Sequence, residues 1–160
     1  MLCLRRSIRN KKNAALFAGY LAQWVDIGFQ RPALVKEIVA RFSKSVRSRL
    51  PLQDYVYLRL AEGMIAMSEE ATEAAIRHLD FVLGLDEQTD DKELLAIANF
   101  WKGRCLRMKG EYDQALAYAT KGRQLATELG HAPMAAVMRV LESWLFFQKG
   151  DAKRALQILF

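Results

Sequence analysis

Apolar residues recur along this chain at intervals of three and four, and no segment sustains the every-second-residue alternation of a half-buried strand. The pattern predicts eight helices, near 12–27, 31–48, 52–68, 71–84, 90–109, 112–129, 132–148 and 152–160. Pro32 is expected in the first turn of a helix, where its missing N–H is harmless, and Gly130 with Pro133 punctuates the boundary before the last helical pair. The polar segment 86–92 (DEQTDDK) reads as a loop whose later acids suit the positive end of the following helix.

The same positions return at a fixed interval. A shift of forty residues aligns Gly63 with Gly103 and Ser143, Glu70 with Gly110 and Gly150, Ala75 with Ala115 and Ala155, and Ile76 with Leu116 and Leu156. Each unit has the makings of two packed antiparallel helices. Lys109 and Lys149 stand at a helix end before Gly110 and Gly150, which can take left-handed torsions. Ala75, Ala115 and Ala155 are small enough to let the second helix approach closely, and the apolar residue after each fills the contact. A weaker earlier copy surrounds Gly28 and Ala33 at a spacing of 42. The chain therefore reads as one all-α domain over 1–160, with a divergent helix pair at 12–50 and repeats at about 52–85, 90–130 and 132–160.

The pattern of Gly103, Gly110, Tyr112 and Ala115, followed by Ser143, Gly150 and Ala155, resembles the tetratricopeptide repeat family, in its longer variant of about forty residues. The resemblance spans 54–160 and implies a right-handed α-α superhelix, a solenoid of antiparallel helix pairs whose first helices line a concave binding face. In that register the face carries Met64 and Met67, then Arg104 and Arg107, then Trp144 and Phe147. It suits a peptide or partner protein of acidic character, while Gly63, Ala75, Gly103, Gly110, Tyr112, Ala115, Gly150 and Ala155 hold the repeats together. The chain departs from the family early in each first helix, where Arg59 and Glu62, Asn99 and Lys102, and Arg139 and Glu142 replace apolar residues. Their regular return is expected to set Glu62, Lys102 and Glu142 in a row as exposed ion-pairing positions. Long-helix variants occur in large bacterial signalling and transcriptional regulators, so a sensor or oligomerisation segment of such a regulator is the alternative reading.

Charge adds a third. Residues 1–50 hold eleven Lys or Arg against two acids, a balance of +9, whereas the remainder balances at −3. Direct nucleic-acid binding would draw on Arg5, Arg6, Arg9, Lys11 and Lys12, or on Arg41, Lys44, Arg47 and Arg49. At 100° per residue, however, Arg41, Lys44 and Arg47 spread over about 120° and Arg49 falls on the other side, so the second group makes no tight stripe.

Catalytic chemistry finds little support. His78 and His131 are isolated, no zinc spacing or phosphate loop occurs, and Asp86, Glu87, Asp90 and Asp91 lack the glycine and ligand order of a calcium loop. Neither an enzyme nor a metal or other cofactor is expected. Two cysteines, Cys3 and Cys105, suit a reducing cytoplasm, with Cys105 read as a buried free thiol. No apolar run approaches the roughly 18 residues of a membrane span. The last helix ends on the apolar ALQILF, which predicts either further repeats or a homodimer through the C-terminal helix.

Overall fold

The computed structural model describes residues 32–85 and 88–159. The helix expected at 12–27, the basic residues before residue 13, Cys3, Gly28, Asp86, Glu87 and Phe160 lie outside the described residues. Among the described residues every regular element is helical: α1 Pro32–Ala40, α2 Lys44–Arg47, α3 Leu52–Ser68, α4 Thr72–Leu83, α5 Lys92–Met108, α6 Tyr112–Glu128, α7 Ala132–Gln148 and α8 Ala152–Leu159. No helix of the described residues is long and apolar enough to cross a membrane.

One expected helix is broken. The segment 31–48 forms α1 and α2 with a turn between them. Phe42 turns inward and is buried, and α1 closes with tightened bonds from Arg41 N–H to Ile38 O and from Phe42 N–H to Val39 O. Ser43, extended at ψ 161, restarts the helix, and Arg47 Nε donates to the Phe42 carbonyl at 2.7 Å, satisfying an acceptor the interruption would orphan.

The forty-residue recurrence has a backbone counterpart in the way helices end. Glu70, Gly110 and Gly150 all take positive φ, at 59°, 78° and 83°, and Gly130 does so at 67°. After each, the next N–H reaches back five residues: Ala71 to Ala66 O, Glu111 to Leu106 O, His131 to Ala126 O and Asp151 to Phe146 O, all within 3.0 Å. These are Schellman ends, which absorb the last carbonyls of a helix and reverse the chain. The following helix starts at once. Asp91 and His131 cap α5 and α7, accepting from Leu94 N–H at 3.0 Å and Met134 N–H at 3.2 Å.

The chain divides into two compact units between Val82 and Leu83. In the first, α1 packs on α3, and α3 meets α4 where a Cβ on Gly63 would lie 3.3 Å from His78 Cβ and 3.4 Å from Leu79 Cγ. Glu62 accepts hydrogen bonds from Arg47 of α2 and from Arg59 at 3.4 Å, and lies 3.3 Å from His78 Nδ1. Burial pushes its carboxyl upward, but the bonds and charges of His78 and Arg47 outweigh this and leave its pKa below the ordinary value.

In the second unit α5 packs on α6, α6 on α7, α7 on α8, and α7 also reaches α5. The α5–α6 pair is antiparallel: Gly103 lies against Ala115 and Ala119, whereas Gly122, further along α6, lies back against Ala96 and Asn99. Ala115, Ala119, Gly122 and Ala126 form a buried seam of small residues that lets the two helices approach. A Cβ on Gly103 would sit 3.1 Å from the Ala115 carbonyl; forty residues on, Ser143 stands in that place and its hydroxyl donates to the Ala155 carbonyl at 2.8 Å. Ala75, Ala115 and Ala155 are all buried in their helix pairs.

The expectation of exposed ion pairing at Glu62, Lys102 and Glu142 is corrected. Lys102 and Glu142 are buried and Glu62 is partly so. Glu142 does not pair with Arg139; its carboxylate, 1 % exposed, accepts from Arg123 Nε of α6 at 2.7 Å. The Lys102 ammonium lies 5.6 Å from the Tyr118 ring centre. Three residues share one register position because each helix of this type turns it inward, toward a polar or aromatic partner on a neighbouring helix.

Candidate functional site

Two of the three expected groove pairs belong to the second unit, which joins one member of each, Arg107 and Trp144. The Arg107 guanidinium lies 4.8 Å from the centre of the Trp144 ring, which also meets Tyr112 edge to face at 5.9 Å. One turn earlier, Arg104 sits 5.1 Å from the Trp101 ring and 5.8 Å from Phe100. Burial, and after it the charge of nearby Arg107, lower the Arg104 pKa from its ordinary value. Both effects disfavour its positive charge, and a carboxylate arriving here would oppose both.

The site extends along α7. Val137, Val140, Trp144 and Phe147 are all exposed, and at 100° per residue they fall within about 80° of one another, a single stripe. Met108 of α5 is exposed as well. Large apolar side chains thus lie exposed along one side of α7, and one of them, Trp144, carries the Arg107 guanidinium over its ring.

Met64 and Met67 belong to the first unit and are both buried in α3. Val137 and Val140 were missed by sequence reasoning, and Leu156, expected to fill the contact beside Ala155, is instead 60 % exposed, because α8 turns only Ala155 fully toward α7. Val137 and Val140 have a signal in the three- and four-residue spacing that leads to Trp144 and Phe147. The second basic group is partly spent on internal bonds, because Arg41 pairs with Glu37 at 2.6 Å and Arg47 with Glu62.

Cys105 is buried, at 0 % exposure. His131 is a helix cap, and Asp91 caps α5. Among the described residues no group of three or more His, Cys, Asp or Glu is placed to hold a metal ion. A cleft of about 350 Å³ in the first unit is lined by Lys36, Glu62, Glu69 and His78 among others, with Lys36 paired to Glu69 and Glu62 to Arg47.

The chain matches no protein-family model, and no curated protein or solved structure shows significant similarity to it.

Proposed function

We propose that the protein is a binding module, not a catalyst, and that it acts in the cytoplasm by holding a peptide or partner protein of acidic character on the α5–α7 face. The underlying architecture in this reading is a right-handed α-solenoid of tetratricopeptide-like helix pairs. The recurrence of a left-handed helix end at residues 70, 110 and 150 supports it. The observation that carries the binding assignment is Arg107 stacked on the exposed Trp144, beside Arg104 and in line with Val137, Val140 and Phe147. A cation held over an aromatic face in a partly desolvated place is pre-oriented to meet a carboxylate while the ring buries an apolar neighbour.

The test is affinity capture from a native extract with the full chain, compared with an Arg104→Glu, Arg107→Glu variant. Capture that depends on both arginines, and weakens with salt, is the expected result. Partners unchanged by the double charge reversal would remove the face from consideration.

A further inference from the structure

Beside the turn that joins α6 to α7 lies a cleft of about 410 Å³, lined by Arg123, Thr127 and Gly130 from one side and by Ala132, Ala135 and Arg139 from the other. Ala132, Ala135 and Arg139 fall within about 60° of one another at 100° per residue, on a side of α7 roughly 125° around from the stripe through Val137, Val140, Trp144 and Phe147. The cleft is therefore separate from the α5–α7 binding face. Gly130 and Ala132 mark its turn end, and each arginine stands about 10 Å further along its own helix. No acid lines it; two guanidiniums do.

Neither guanidinium is used up by the fold. Arg139 is exposed, and Glu142, its sequence neighbour one turn on, is taken by Arg123 instead. Arg123 gives Glu142 only its Nε–H, at 2.7 Å, while the second carboxylate oxygen, Oε1, is buried without a hydrogen-bond partner. The bond is single and not forked, so the two terminal nitrogens of Arg123 remain for a ligand, on a guanidinium that the buried Glu142 holds in place. The other polar groups of the cleft are already engaged. Ala132 N–H bonds Gly130 O, Met134 N–H bonds the His131 ring, Ala135 N–H bonds His131 O, and the Thr127 hydroxyl donates to Arg123 O at 2.8 Å. An anion entering here meets the two arginines and not the start of α7.

We propose that this cleft binds a small phosphate ester, with the phosphate between Arg123 and Arg139 and the organic body along Ala135 and Ala132 toward the turn. A phosphate monoester carries about −1.5 to −2 charges at neutral pH and three acceptor oxygens, so it can accept from both sides at once. A carboxylate has two oxygens in one plane and is matched by a single guanidinium edge. Arg123, Arg139 and Glu142 together leave one positive charge uncompensated, and the volume lies within the range of roughly 300–1,000 Å³ that small-molecule sites occupy.

Phenyl phosphate and benzoate, which share a ring and differ in the anionic head, are titrated into the full chain and followed by proton–nitrogen correlation NMR of the arginine Nε–H groups. Saturable shifts at Arg123 and Arg139 with phenyl phosphate are expected, with benzoate bound more weakly by about tenfold, the worth of one charge-assisted hydrogen bond. Arg139→Gln should weaken phenyl phosphate by a similar factor; its site is exposed, and circular dichroism verifies the fold. Ala132→Phe, also at an exposed position, fills the cleft without altering charge and should exclude the ligand while leaving capture through Arg104 and Arg107 intact. Benzoate bound as tightly as phenyl phosphate would overturn the phosphate assignment. Affinity unmoved by Arg139→Gln, or no saturable shift at millimolar ligand, would overturn the site itself. Displacement of phenyl phosphate by a single-stranded oligonucleotide, with binding that falls steeply as salt rises, would assign the phosphate to a nucleic-acid backbone instead.

Discussion

Glu70 is the only non-glycine residue among the described ones with positive φ, at 59°, in a position that Gly110 and Gly150 fill forty and eighty residues later. An L-residue in left-handed torsions carries a penalty of roughly 1–2 kcal/mol, because its Cβ crowds the following carbonyl. Replacing it by glycine removes that penalty but adds about 0.5–1 kcal/mol of unfolded-state entropy to be lost on folding. Glu70 is exposed, so little packing is forfeited, and Glu70→Gly should stabilise the protein by about 0.5–1 kcal/mol. The reciprocal change is equally informative. A Cβ on Gly110 would meet nothing within 4 Å, so Gly110→Ala should destabilise by about 1 kcal/mol through torsion alone. Urea unfolding followed by circular dichroism reads both, as midpoints moving in opposite directions at unchanged slope. If Glu70→Gly lowers the midpoint, or Gly110→Ala leaves it unmoved, these turns are not the left-handed helix ends described.

Three further outcomes test the packing. Gly122→Ala brings a Cβ to 3.0 Å from the Ala96 carbonyl and 3.2 Å from Met138 Sδ; overpacking of about 1–3 kcal/mol exceeds the roughly 1 kcal/mol gained in helix propensity, so its urea midpoint should fall. Glu142→Ala removes the buried carboxylate from Arg123, whose side chain is 33 % exposed and can partly rehydrate; a loss of about 2 kcal/mol is expected, below that for a wholly buried pair, and a double-mutant cycle with Arg123→Ala should show the coupling. Glu62 has its folded-state pKa below the ordinary 4.5, so its contribution is present above the unfolded pKa and is lost as pH falls through the lower folded value. Glu62→Gln should therefore flatten the stability profile in that acid window when melting temperature is followed against pH.

How much of this was legible in the chain follows from what each residue type can and cannot do alone. The helices from α3 onward are written locally: apolar spacing sets their extent, and glycine after lysine, as at Gly110 and Gly150, marks where left-handed torsion ends one. The small residues Ala75, Ala115 and Ala155, which mark the recurrence in sequence, are all buried in the structure. The break at Phe42 was not legible, since local spacing continues through it and only the burial of that ring turns the chain. Charge also misled: Lys102 and Glu142 look like surface residues until a neighbouring helix supplies Tyr118 and Arg123.

α7 shows the division most clearly. α7 carries two apolar stripes, one through Met138, Leu141 and Leu145 and one through Val137, Val140, Trp144 and Phe147. Sequence determined that both exist, because helical spacing is a property of one chain segment. Which stripe becomes core was decided by tertiary structure, because burial depends on the Gly103 and Gly122 surfaces that α5 and α6 offer to one side of α7 and not the other. The same contact brought Arg107, thirty-seven residues away in sequence, over Trp144, a pairing that no local pattern encodes.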